Sequence, residues 1–134
     1  MCCRMQGAVA LLERGEALET LLALAESSTS RRGQLAVVAG EAGVGKSTLV
    51  AALAEALDEE RVVAWGHCDD LFTPRELGPF HDMAGQLGPA VSDALASGCA
   101  PAALFPKVLS ALDELPNGSL LIFEDVHWAD TASL

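Results

Sequence analysis

The sequence predicts an α/β domain in which a parallel sheet is flanked by helices in a three-layer arrangement. Three observations predict it. Short apolar, largely β-branched runs bounded by glycine or turn residues recur along the chain: "LAVVAG", "VVAWG" and "SLLIF". Segments with helical apolar spacing separate those runs. The runs are also apolar throughout rather than alternating, as strands covered on both faces must be, and parallel strands need crossovers long enough to hold a helix.

Each element follows in order. Leu11, Leu18, Leu21, Leu22 and Ala25 recur at helical spacing with Glu13, Glu16 and Glu19 among them, predicting an N-terminal amphipathic helix over residues 8–27. The polar break "SSTSRRGQ" contains Gly33, after which "LAVVAG" reads as a buried strand that begins an αβα core over residues 35–134. Leu49, Leu53 and Leu57, with Val50 and Ala54 beside them, predict a helix starting near Lys46 and ending at "DEER". "VVAWG" is a second buried strand. The stretch "HCDDLFTPRELGPFHD" holds Pro74, Gly78 and Pro79 without a clean period, so it reads as a loop leading to a short helix over residues 82–87. Gly88-Pro89 breaks that helix, and "AVSDALAS" predicts another before Gly98. Val108, Leu109, Leu112 and Leu115 mark a further helix, which tolerates Pro106 only in its first turn. Pro116-Asn117-Gly118 is a turn, and "SLLIF" is a third buried strand running into Glu124 and Asp125.

Composition narrows the function classes. A chain of 134 residues, 51% hydrophobic and 20% charged, fits one globular domain. The net charge of −11 argues against a nucleic-acid groove, because phosphate neutralisation needs clustered Lys and Arg. Any DNA contact therefore has to come from outside this segment. No apolar stretch approaches the roughly 20 residues of a membrane helix, and "MCCRMQGAVALLERGE" offers too short an apolar segment for a secretory signal. A cytoplasmic protein with no membrane partner is expected. Cys2, Cys3, Cys68 and Cys99 lack paired metal-ligand spacing, and reduced thiols are expected.

Gly40, Gly45, Lys46 and Ser47 satisfy G-x-x-x-x-G-K-[ST] between an expected strand and an expected helix, which is the Walker A context. A loop wrapped around phosphate needs backbone angles that side chains forbid, and close approach of N–H groups to oxygen. The amides from Gly43 through Val44 and Gly45 to Thr48 are expected to face the phosphates, reinforced by the positive end of the following helix. Lys46 would reach the β- and γ-phosphates, Ser47 would put its hydroxyl on Mg²⁺, and Thr48 would contact the α-phosphate region. A chance match to the four fixed positions is on the order of one in a thousand for this composition.

Downstream, "LLIFEDVHWAD" puts two carboxylates at the carboxyl end of a buried strand, where open α/β sheets bind ligands. An ATPase of this kind uses one acid there for Mg²⁺ and a second to orient and deprotonate the attacking water. By position Glu124 takes the metal role and Asp125 the water-activating role. The commoner order is Asp then Glu, and the shorter Asp125 is poorly suited to reach the water, which points to slow hydrolysis rather than lost binding. His67, Cys68, Asp69 and Asp70, and likewise His127 and Asp130, lack a second pair of soft ligands and read as strand-end loop residues rather than zinc sites. Trp65 and Trp128 read as packing residues.

Four stretches together, "LLERGEALETL", "VVAGEAGVGKSTLV", "GHCDDLFTPRELGPFHDMA" and "LLIFEDVHWADTASL", resemble the ATP-binding domain of the large LuxR-type transcriptional regulators, in the STAND branch of AAA-like P-loop NTPases. The resemblance covers most of the chain. It implies an ATP- or ADP-dependent switch holding nucleotide and Mg²⁺ at Gly45, Lys46, Ser47, Glu124 and Asp125. It also implies Arg14 near the nucleotide, although the family often has Gly-Arg-Glu where this chain has Glu13-Arg14-Gly15. Such proteins continue with further core strands, a winged helix, helical repeats and a DNA-binding helix-turn-helix, so the resemblance implies an N-terminal fragment, incomplete at its C-terminus. One family strand lies between the phosphate-loop strand and the acidic strand; without it, either a gap opens in the sheet or the two strands pair directly. Self-association through the ATPase domain is a further expectation, since an arginine from a neighbouring subunit is a common device in phosphoryl transfer. Two other functions remain open on the residues alone: a stand-alone small P-loop ATPase or kinase acting on a diffusible substrate, and an interaction module docking through the N-terminal helix.

Overall fold

The computed structural model describes residues 14–28, 32–70 and 75–129. Along the described residues the order is helices α1 (Arg14–Ser27) and α2 (Lys46–Ala56), strand β1 (Val63–His67), helices α3 (Gly78–Leu87), α4 (Pro89–Ala96) and α5 (Pro101–Glu114), strand β2 (Leu120–Glu124) and a 3₁₀ turn, Val126–Trp128. The two strands pair in parallel, with Val63 opposite Leu120 and His67 opposite Glu124. The long crossover between them is the helical run α3–α5, as parallel pairing requires.

The core lies between the sheet and this crossover. Ala64 of β1 packs with Phe80 and Met83 of α3, Val91 of α4 and Leu104 of α5; Met83, Val91 and Leu104 are wholly buried. Phe80 also stacks edge-on against Phe105 of α5 and Phe123 of β2, at centroid distances of 5.6 and 5.7 Å. These contacts tie α3 to both strands. At Gly66 the approach of β1 to α3 is so close that a Cβ would lie 2.7 Å from Pro79 Cβ and 2.8 Å from Pro79 O. Helices α1 and α2 pack on each other, with Ala25 and Leu53 buried.

Three sequence expectations are corrected. The buried strand expected over residues 35–40 does not form: among the described residues the sheet has two strands, and Leu35 and Val37 are 80% and 76% exposed. A strand needs a neighbour to take its N–H and C=O groups, and this segment borders an open cavity instead. Helix α3 starts at Gly78 rather than at residue 82, because Pro79 occupies its first turn, where a missing N–H costs nothing. Helix α5 likewise starts at Pro101, which puts Pro106 in the second turn, with its ring toward solvent. The N-terminal part of the helix expected over residues 8–27 falls outside the described residues as far as residue 13.

Candidate functional site

The loop from Gly40 to Gly45 turns through two left-handed glycines, Gly43 (φ 79°) and Gly45 (φ 95°), and the Val44 N–H donates to Glu41 O at 3.3 Å. At Gly40 the approach is close for a different reason: a Cβ there would lie 2.9 Å from Val44 Cγ1, a methyl of an exposed side chain that would have to turn away. The first helical bond of α2 runs from the Leu49 N–H to Gly45 O, 3.0 Å, so the amides of Lys46, Ser47 and Thr48 lie ahead of it and have no intrahelical acceptor. No acidic residue stands in the first turn of α2 to compete for them. Lys46 Nζ folds back over the loop and donates to Gly40 O and Glu41 O, both at 2.9 Å. Ser47 and Thr48 are exposed.

Glu124 ends β2 with its side chain 20% exposed. Asp125 follows in the left-handed region (φ 54°, ψ 40°), which turns the chain out of the strand; its carbonyl accepts the Trp128 N–H at 2.8 Å. An aspartate tolerates that conformation better than most residues. Lys46, Ser47, Glu124 and Asp125 all line one open cavity of about 1300 Å³, which residues 33–40 and β2 also border. The structure thus brings the expected phosphate loop and the acidic strand end to a common space. Arg14 is the first residue of α1, and its side chain lies outside the described residues. Trp65 is half-buried, whereas Trp128 is 46% exposed and touches His127, so its packing is one-sided.

Sequence reasoning missed a network beside Glu124. His67 Nε2 lies 3.3 Å from Glu124 Oε2, and His67 Nδ1 lies 3.7 Å from Asp82 Oδ2. The His67 amide donates to Asp82 Oδ2 at 3.1 Å, and Arg75 Nη2 donates to Asp82 Oδ1 at 2.6 Å and to Gly78 O at 2.9 Å. Burial raises the Asp82 carboxyl, but the His67 amide, the Arg75 guanidinium and the His67 ring together outweigh it and hold the group below the usual carboxylate range. One signal was available: both strands end in a polar residue, and the observed register sets His67 directly opposite Glu124. No group of three or more His, Cys, Asp or Glu side chains suited to a metal ion occurs among the described residues.

A parallel α/β core, a glycine loop opening a helix and an acidic strand end facing the same cavity define a fold of the P-loop NTPase class. The chain belongs to the AAA ATPase domain family, whose model matches residues 10–134. Comparison with curated proteins and with solved structures finds no match for this chain. Domains of this family generally use ATP or ADP with Mg²⁺, so the chain is an ATP-binding ATPase module at the level of its family. No helix among the described residues is long and apolar enough to cross a membrane.

Proposed function

We propose that the chain is a nucleotide-operated switch module of the LuxR/STAND type, which regulates transcription through domains outside this segment and hydrolyses ATP slowly or not at all. The observation that carries the reading is that Lys46 and Ser47 share one cavity with Glu124 and Asp125. Lys46, whose ammonium rests on two loop carbonyls, would exchange them for phosphate oxygens. The free amides at the start of α2 and the left-handed glycines fit a phosphate cradle, and Ser47 with Glu124 would hold Mg²⁺. When bound, the metal supplies charge neutralisation on the phosphates.

Slow turnover is supported by the open sheet. Residues 33–40 carry the glycine loop but gain no strand partner among the described residues, so nothing of the sheet fixes Lys46 relative to Glu124. A misplacement of about 1 Å can reduce a rate a hundredfold. Asp125 on its left-handed turn is proposed as the weak water-activating group, and Arg14 as an outer nucleotide contact.

The test is thermal unfolding with Mg-ADP. Ligand at a hundred times its dissociation constant stabilises by about 2.7 kcal/mol, and Lys46→Ala is expected to abolish that gain. No stabilisation of the parent chain would overturn the binding reading, and phosphate release lost on Lys46→Ala would overturn slow turnover.

A further inference from the structure

The geometry points to His67 as a positioning residue for Glu124, itself held by Asp82 and Arg75, so that a relay of four side chains runs from the loop ahead of α3 to the acidic end of β2. The inference rests on the reading of Glu124 as the Mg²⁺ acid of a nucleotide site. It concerns residues that neither the glycine motif nor the acidic pair includes.

The links come from different elements, two of them hydrogen bonds, one of these through the His67 main chain, and one a close approach of the His67 ring to a carboxylate. Arg75 precedes α3 and donates to Asp82 Oδ1 at 2.6 Å; Asp82 of α3 accepts the His67 amide on Oδ2 at 3.1 Å; the His67 ring, at the end of β1, reaches Glu124 Oε2 at 3.3 Å. Both oxygens of Asp82 are therefore engaged. The other ring nitrogen of His67 lies 3.7 Å from Asp82 Oδ2, so the imidazole sits between the two carboxylates. The relay is anchored where β1 and α3 are closest, since Gly66 lies directly against Pro79 and Met83. His67 lies against one oxygen of Glu124, Oε2, which leaves Oε1 for a cation's shell.

The physical consequence is preorganisation. A glutamate side chain has three rotatable bonds, and freezing them as the cation arrives opposes binding. A neighbour that has already oriented the carboxylate removes that opposition, and losing such a neighbour typically weakens metal affinity 10–100-fold. His67 thus acts through Glu124, without touching nucleotide.

The experiment measures the dissociation constant of ADP with Mg²⁺ and with EDTA, the ratio being the Mg²⁺ enhancement. His67→Ala is expected to bind ADP in EDTA as the parent does and to lose about tenfold of the enhancement. His67→Gln, which keeps an N–H donor, recovers part of it, and in a Glu124→Gln background His67→Ala adds no further loss. An enhancement unchanged or increased by His67→Ala, or an equal loss in the Glu124→Gln background, overturns the relay. Should His67→Ala fail to fold, Asp82→Asn carries the same expectation and is overturned by an unchanged ratio. Parent chain that binds no ADP overturns the nucleotide reading and the relay together; parent binding with an indifferent His67→Ala overturns the relay alone.

Discussion

Replacing Gly66 with alanine tests the packing on which the site depends. The added Cβ would stand 2.7 Å from Pro79 Cβ, 2.8 Å from Pro79 O and 2.9 Å from Met83 Cε. The methionine methyl can swing away, but the two Pro79 atoms belong to the buried first turn of α3 and cannot yield without moving the helix. Overpacking of this kind costs about 1–3 kcal/mol. Alanine recovers about 0.5–1 kcal/mol through the lower entropy of the unfolded chain. A net loss of about 1–2 kcal/mol is expected, and with a urea slope of about 1–2 kcal/mol/M the midpoint should fall by about 1 M at constant slope, followed by circular dichroism. Displacing α3 also draws Asp82 from the His67 amide. A Gly66→Ala chain as stable as the parent would refute the claim that β1 and α3 are in contact at the limit of approach.

Other expectations concern charge and backbone. The Asp82 carboxyl is depressed in the fold, so its stabilisation is fully present above its unfolded value near about pH 4 and is lost as pH falls through the folded value. The stability difference between parent and Asp82→Asn, measured by urea titration, should be constant above about pH 5 and shrink below about pH 4; a gap that persists to lower pH would contradict the network. Gly43→Ala meets no atom within 4 Å, so its cost is that of the left-handed backbone alone, about 1 kcal/mol, and Mg-ADP affinity should fall with it. Asp125→Gly relieves the left-handed strain and should hold or raise the unfolding midpoint, while removing the carboxylate proposed for water activation; a clear drop in stability would show that the Asp125 side chain supports the turn.

What could be read from the chain, and what could not, divides along physical lines. The glycine loop was legible because its backbone demands are local: Gly43 and Gly45 take left-handed angles. Strands β1 and β2 were legible because uninterrupted apolar runs between turn residues have few other fates. "LAVVAG" has the same composition, yet it gains no strand partner among the described residues, because pairing depends on a neighbouring edge that periodicity does not encode. Helices α3 and α5 start earlier than expected because Pro79 and Pro101 serve as first-turn residues rather than breakers. Beyond the polar residue that ends each strand, the Arg75–Asp82–His67–Glu124 network left no trace in the sequence, because it joins a loop, a helix and two strands and exists only once the strand register is set.

The measurement that bears most directly on the central claim is a backbone amide NMR titration of the chain with Mg-ADP. The amides of residues 43–48 and of His67, Glu124 and Asp125 are expected to shift together along one binding curve, while those of α4, remote from the cavity lining, stay in place. Shifts absent from the glycine loop, or confined to residues outside the cavity, would contradict it.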